Sequence, residues 1–134
     1  MPAVQFHKVV CEVVSDHAVV FYSGASGLAE ISAAGVTKAA ALGRWCAAQG
    51  IESAEVFAFG DMPNDVPMLR WAGRSFGVAN AHSDVLDVVD QVCPSNEQDG
   101  VAQVLEALLA DIAAGTMHVA DAGGSASAAA YLRC

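Results

Sequence analysis

Gly60-Asp61-Met62-Pro63-Asn64-Asp65 follows directly on Val56-Phe57-Ala58-Phe59, and this junction decides the fold. A short, wholly apolar run marks a strand buried on both faces, as in parallel α/β sheets. Asp61, Asn64 and Asp65 therefore gather just beyond the carboxyl end of that strand, where open α/β sheets build their ligand sites. Hard oxygen donors at such a place suit Mg²⁺ and, through it, a phosphate. A plainer assignment also fits: an acidic strand-to-helix turn in which Asn64 or Asp65 caps a helix beginning near Val66.

Working outward, strand and helix alternate. The pattern predicts a helix over 66–71, a strand over 75–79, a loop at Asn80-Ala81-His82, a helix over 83–89 and a short strand at Gln91-Val92-Cys93. Asp99 then opens a helix whose Val101, Val104, Leu105, Leu108, Leu109 and Ile112 share one face. Upstream, Thr37 is placed to cap a helix that runs to Gln49, with Gly50 ending it in a left-handed conformation. Alternation over 37–114 is the signature of βαβ units feeding a parallel sheet.

The amino-terminal part differs. Runs at 7–14, 18–22 and 28–31 read as strands, separated by Ser15-Asp16 and Gly24-Ala25-Ser26-Gly27. Strands so close in sequence pair as hairpins, so this part is expected to be antiparallel. Beyond Gly115 the chain is rich in Gly, Ala and Ser and reads as a loosely held extension.

A chain of 134 residues, 54% hydrophobic, has room for one modest domain with a real core. No apolar stretch is long enough to cross a bilayer, and Met1-Pro2-Ala3-Val4-Gln5 lacks the features of a secretory signal, so a cytoplasmic protein is expected. A net charge of −9 argues against sequence-independent nucleic-acid binding. Cys11, Cys46, Cys93 and Cys134 form no Cys-x-x-Cys pair and read as free thiols. His7, His17, His82 and His118 share no metal-type spacing, and only His82 falls near the acidic loop.

Lys38 stands out among the six basic residues. A cation in the first turn of a helix opposes the macrodipole unless an anion lies close by, and helix amino termini are good phosphate sites. A solvated surface lysine is the alternative. Set beside Asp61 and Asp65, Lys38 becomes the third corner of a phosphate and metal site.

Leu28-Ala29-Glu30-Ile31, Gly35-Val36-Thr37-Lys38, Phe59 to Leu69, Ala72-Gly73, Gly77 to Ala81 and Asp99-Gly100-Val101 occur in that order. Together they resemble the haloacid dehalogenase superfamily, in its Cof-like branch of sugar-phosphate and nucleotide phosphatases with an α/β cap. The resemblance covers roughly residues 5–112. It implies a partial Rossmann-like parallel sheet with flanking helices, plus an antiparallel element from the cap. Residues 1–35 would be the cap remnant, 36–114 the carboxyl-terminal half of the core and 115–134 a tail.

The resemblance further implies that Lys38 neutralises phosphoryl oxygens and a nucleophilic carboxylate. Asp61 would ligate Mg²⁺, Asp65 and Asn64 would hold the metal's waters or orient Lys38, and Asn80 would lie on the neighbouring loop as a phosphate-site residue. A small phosphorylated metabolite is the implied substrate. In such enzymes an aspartate attacks phosphorus and a second acid two residues on serves as acid and base. That Asp-x-Asp pair occurs nowhere in this chain. The expectation is therefore a phosphatase-type chain that is inactive alone; the alternative is a truncated, non-catalytic phosphate- or metal-binding module, or an oligomeric one. In the family the nucleophile strand lies beside the strand corresponding to 55–59. That strand is thus expected to form an open apolar edge that invites a homodimer or higher oligomer.

Overall fold

The computed structural model describes residues 3–14, 17–23 and 28–116. The chain runs through α1 (Ala3–Val14), β1 (Ala18–Ser23), β2 (Leu28–Ala33), α2 (Lys38–Gln49), β3 (Phe57–Gly60), α3 (Val66–Trp71), β4 (Arg74–Val78), α4 (Ser83–Leu86), β5 (Gln91–Cys93) and α5 (Gly100–Ala113), with short 3-10 turns between. The expected turns at 15–16 and 24–27 and the tail from Met117, with His118 and Cys134, lie outside the described residues.

The amino-terminal segment corrects one expectation. Residues 7–14 form part of a helix, not a strand. The β-branched run Val9-Val10 suggested extended chain, yet Phe6, Val9, Val10 and Val13 recur at helical spacing. One turn of helix also brings Cys11 Sγ to 3.6 Å from His7 Nε2. The next two segments are strands. β1 and β2 pair antiparallel, with Val20 opposite Ile31 and Phe21 opposite Glu30.

Local signals account for α2. Thr37 is extended, and its Oγ1 accepts from Ala40 N–H at 3.1 Å. Gly50, at φ 71°, closes the other end and donates to Ala47 O. Cys46 is the one fully buried side chain of this helix, and Trp45 remains 59% exposed.

From β3 onward the sheet is wholly parallel, in the order β3-β4-β5. Every residue of β4 is buried, as befits its central place. One face packs Phe76, Val78 and Cys93 against Val104 and Leu108 of α5, with Phe57 and Phe59 at its margin. Phe59 lies directly across from Phe76, and their rings stack at 4.9 Å between centroids. The other face packs Ala58 against Leu69 and Val85. Alternate residues of the apolar run 57–60 thus serve opposite faces, the arrangement that a strand covered on both sides requires.

Candidate phosphate and metal site

The loop after β3 turns on Gly60. A Cβ there would stand 2.7 Å from Asp65 Cβ and 2.9 Å from Leu69 Cδ1, so only glycine lets the Asp65 side chain fold back over the strand end. Pro63, Asn64 and Asp65 then form a single 3-10 turn that leads into α3. Asp65 caps no N–H of α3. Its Oδ2 instead accepts from the N–H groups of Asp61 and Met62, at 3.1 and 3.2 Å, and so closes the loop on itself.

The other oxygen, Oδ1, takes Lys38 Nζ at 2.5 Å. The anion that a lysine in the first turn of α2 calls for is thus supplied by the chain. The pair is asymmetric: the Asp65 side chain is 5% exposed and that of Lys38 53%. Burial is the strongest single influence on the Asp65 carboxyl and pushes it up. The hydrogen bond from Lys38, those from the two backbone N–H groups and the Lys38 charge together outweigh it, so the group lies below its ordinary value. Asp65 is therefore a fixed anion, and Lys38 a cation held at one end with the rest of its ammonium open to solvent.

Asp61 is exposed at the strand end. Its backbone carbonyl accepts from His82 N–H at 2.8 Å, which joins the loops after β3 and β4. Its carboxylate has no hydrogen-bond or ion-pair partner among the described residues. The His82 ring caps α4, its Nδ1 accepting from Asp84 N–H. Asn64 donates through Nδ2 to Glu30 Oε2 at 3.2 Å, and its Oδ1 is buried with no partner among the described residues.

Asn80 lies on the loop after β4, which the His82–Asp61 bond joins to the loop after β3. Both ends of its amide are engaged by Asn96: Nδ2 donates to Asn96 Oδ1 at 2.9 Å, and Oδ1 accepts from Asn96 N–H at 3.2 Å. This pair ties the loop after β4 to the one after β5. The candidate site thus gathers Lys38, Asp61, Asn64 and Asp65 at the end of β3, with Glu30 bonded to Asn64 from β2 and Asn80 on the adjoining loop. Glu30 belongs to the Leu28–Ile31 block of the resemblance, but its contact with Asn64 spans 34 positions and no local pattern points to it.

The exposed Asp61 carboxylate is a hard oxygen donor of the kind Mg²⁺ takes, whereas the Asn64 amide oxygen is buried. No group of three or more His, Cys, Asp or Glu side chains gathers into a metal cage among the described residues. An ion that keeps most of its waters is the kind a single carboxylate fits.

Comparison with known proteins agrees with this architecture. A family model described as haloacid dehalogenase-like hydrolase matches residues 5–105. The 5-amino-6-(5-phospho-D-ribitylamino)uracil phosphatase YbjI of Escherichia coli is 36% identical over 105 residues, covering 78% of this chain and 38% of that protein. A phosphoglycolate phosphatase of Archaeoglobus fulgidus is 40% identical over 84 residues, covering 62% of this chain and 38% of that protein. Among solved structures, SMU.1108c from Streptococcus mutans superposes with a TM-score of 0.73 at 31% identity, over 81% of this chain and 41% of that one. The chain therefore spans about two-fifths of the length of these relatives. With a parallel sheet, an acidic loop at the end of β3 and a lysine-aspartate pair beneath it, the chain belongs to the haloacid dehalogenase-like hydrolases.

Proposed function

We propose that this chain carries the phosphate- and Mg²⁺-binding half of a cytoplasmic phosphomonoester phosphatase, of the sugar-phosphate or nucleotide type, and that it does not turn over alone. The relatives named for two different phosphomonoesters support the substrate class. The observation that carries the reading is the Lys38–Asp65 pair at the carboxyl end of β3. Asp65 holds the lysine in place, and the exposed ammonium offers its charge to phosphoryl oxygens. Because both oxygens of Asp65 are engaged within the chain, direct contact with the metal falls to Asp61, with Asp65 supporting it by fixing the loop that carries it. Bound Mg²⁺ would supply further neutralisation of phosphate charge. What is missing is an attacking carboxylate: no Asp-x-Asp occurs in these 134 residues. In this reading the α1–β2 segment is the part that belongs to the cap.

Titration of the purified chain with Mg²⁺ and inorganic phosphate tests the binding, and phosphate release from a generic phosphomonoester tests the chemistry. Binding on the order of millimolar is expected for a site with so few protein ligands, together with no release above background. Micromolar Mg²⁺ affinity would reveal a further ligand. Robust hydrolysis that disappears in Asp61→Ala would overturn the claim of inactivity.

A second reading concerns assembly. β3 pairs with β4 alone, so its other edge carries no strand among the described residues. Its side chains Phe57, Ala58 and Phe59 include no charge to discourage pairing. We propose that a second copy covers this edge. Light scattering during size-exclusion chromatography should then report a dimer or higher oligomer, and a monomer at micromolar concentration and above would refute it.

A further inference from the structure

A groove of about 370 Å³ runs between α3 and α4, beside the site described above. Small-molecule sites occupy roughly 300–1,000 Å³. Pro63, Val66 and Arg70 recur at helical spacing and make one wall, and Asp84, Asp87 and Val88 make the other. Behind the walls, Leu69 of α3 and Val85 of α4 are buried in one cluster with Ala58, so core packing sets how far apart the walls stand. One wall carries a cation and the other two anions, yet these charges do not meet. Among the described residues, neither the Arg70 guanidinium nor the Asp87 carboxylate has a hydrogen bond or ion pair. Asp84 is already engaged, its Oδ1 lying 3.6 Å from His82 Nδ1.

We propose that this groove binds a small zwitterion, its anionic end on Arg70 and its ammonium end on Asp87. The guanidinium fork matches a carboxylate in two hydrogen bonds, and Asp87 offers an ionised acceptor to an ammonium. Pro63, Val66 and Val88 supply apolar surface for the carbon chain between the two ends. A simple anion would meet the two carboxylates as well as the arginine, and a simple cation would meet the arginine as well as the carboxylates. Only a ligand with both charges, in the opposite order, complements both walls. Arg70, Asp84 and Asp87 take no part in the phosphate site, so the proposal stands independently of that reading. The groove adjoins it through Pro63, which opens the 3-10 turn ending in Asp65.

The test follows backbone amide resonances of residues 66–70 and 84–88 in the isotope-labelled full chain. The probes are straight-chain ω-amino acids from glycine to ε-aminocaproate, with caproate and hexylammonium as singly charged controls. At least one zwitterion should shift both walls saturably, on the roughly millimolar scale that ligands of this size reach, and bind more tightly than either control. An exposed charge pair is worth about two- to fivefold in affinity. Arg70→Gln should weaken the zwitterion by that factor and leave hexylammonium bound no more weakly. Asp87→Asn should weaken the zwitterion likewise and leave caproate bound no more weakly. Both side chains are exposed and unpaired among the described residues, so neither change removes a contact that holds the fold. The proposal is overturned if no zwitterion gives saturable shifts, if only one wall responds, or if the controls bind as well. A variant that weakens every probe alike would overturn it too, because the groove would then be reading shape and not charge.

Discussion

Asp65→Ala is expected to lower the stability of the chain by roughly 2–4 kcal/mol, the sum of lost hydrogen bonds and stranded donors, and to abolish phosphate binding. The substitution removes the acceptor for the N–H groups of Asp61 and Met62 and the anchor of Lys38 in one step. Two backbone donors in a part-buried turn then lose their partner, at about 1–3 kcal/mol each when water cannot replace it. The ion pair adds little to this, since Lys38 is half exposed and solvent screens it. Asp65→Asn retains one oxygen for the backbone donors and should cost about half as much, yet it leaves Lys38 without its anion. Urea unfolding separates the two variants. A loss below about 1 kcal/mol in Asp65→Ala would show that the turn is held by something else.

The same carboxylate gives the acid limb of stability a definite sign. Its folded value lies below the ordinary 3.8. The contribution is therefore complete above pH 3.8 and lost progressively as pH falls from there through the folded value. In Asp65→Asn that part of the acid unfolding profile should flatten, while the profile near neutrality runs parallel to that of the unmodified chain.

The parallel part of the fold was legible because its signals are local and mutually consistent. Thr37 and Gly50 mark the ends of α2, α3 occupies residues 66–71 as its pattern predicts, and β5 falls on Gln91-Val92-Cys93. The Lys38 reading also stood on local physics, an unfavourable cation that needed an anion, and the anion proved to be Asp65. What was hidden depends on contacts distant in sequence. α1 was misread because β-branched residues outweighed helical spacing, and Phe6, Val9 and Val13 on that helix remain exposed. The Asn80–Asn96 pair joins two loops, and the Glu30–Asn64 bond a strand and a turn, that sequence spacing cannot bring together. Asp99, too, opens α5 in a way that its residue type did not indicate: it adopts a left-handed φ of 56° and makes no side-chain cap.

Gly100→Ala should be the most damaging single change in the core, costing about 3 kcal/mol or more, at or above the top of the usual range for overpacking. A Cβ at Gly100 would lie 1.8 Å from the carbonyl oxygen of Pro94 and 2.5 Å from its carbon. The obstacle is backbone, which cannot rotate aside as a flexible side chain would. The segment is also tied down, because Gly100 N–H donates to Ser95 O at 3.1 Å. Relief of the clash must move either the 94–95 segment or the start of α5. Either movement lifts Val104 and Leu108 away from Phe76, Val78 and Cys93, the cluster that fills one face of the sheet. Gly50→Ala is the control that separates steric from conformational cost. It meets nothing within 4 Å but must hold φ near +71°, which costs a non-glycine residue about 1–2 kcal/mol. Circular dichroism during urea unfolding should rank Gly100→Ala well below Gly50→Ala. If the two variants unfold together, the close approach of Pro94 to α5 does not constrain the fold. If Gly100→Ala falls furthest, the close packing of α5 on the 94–95 segment accounts for the glycine at this position.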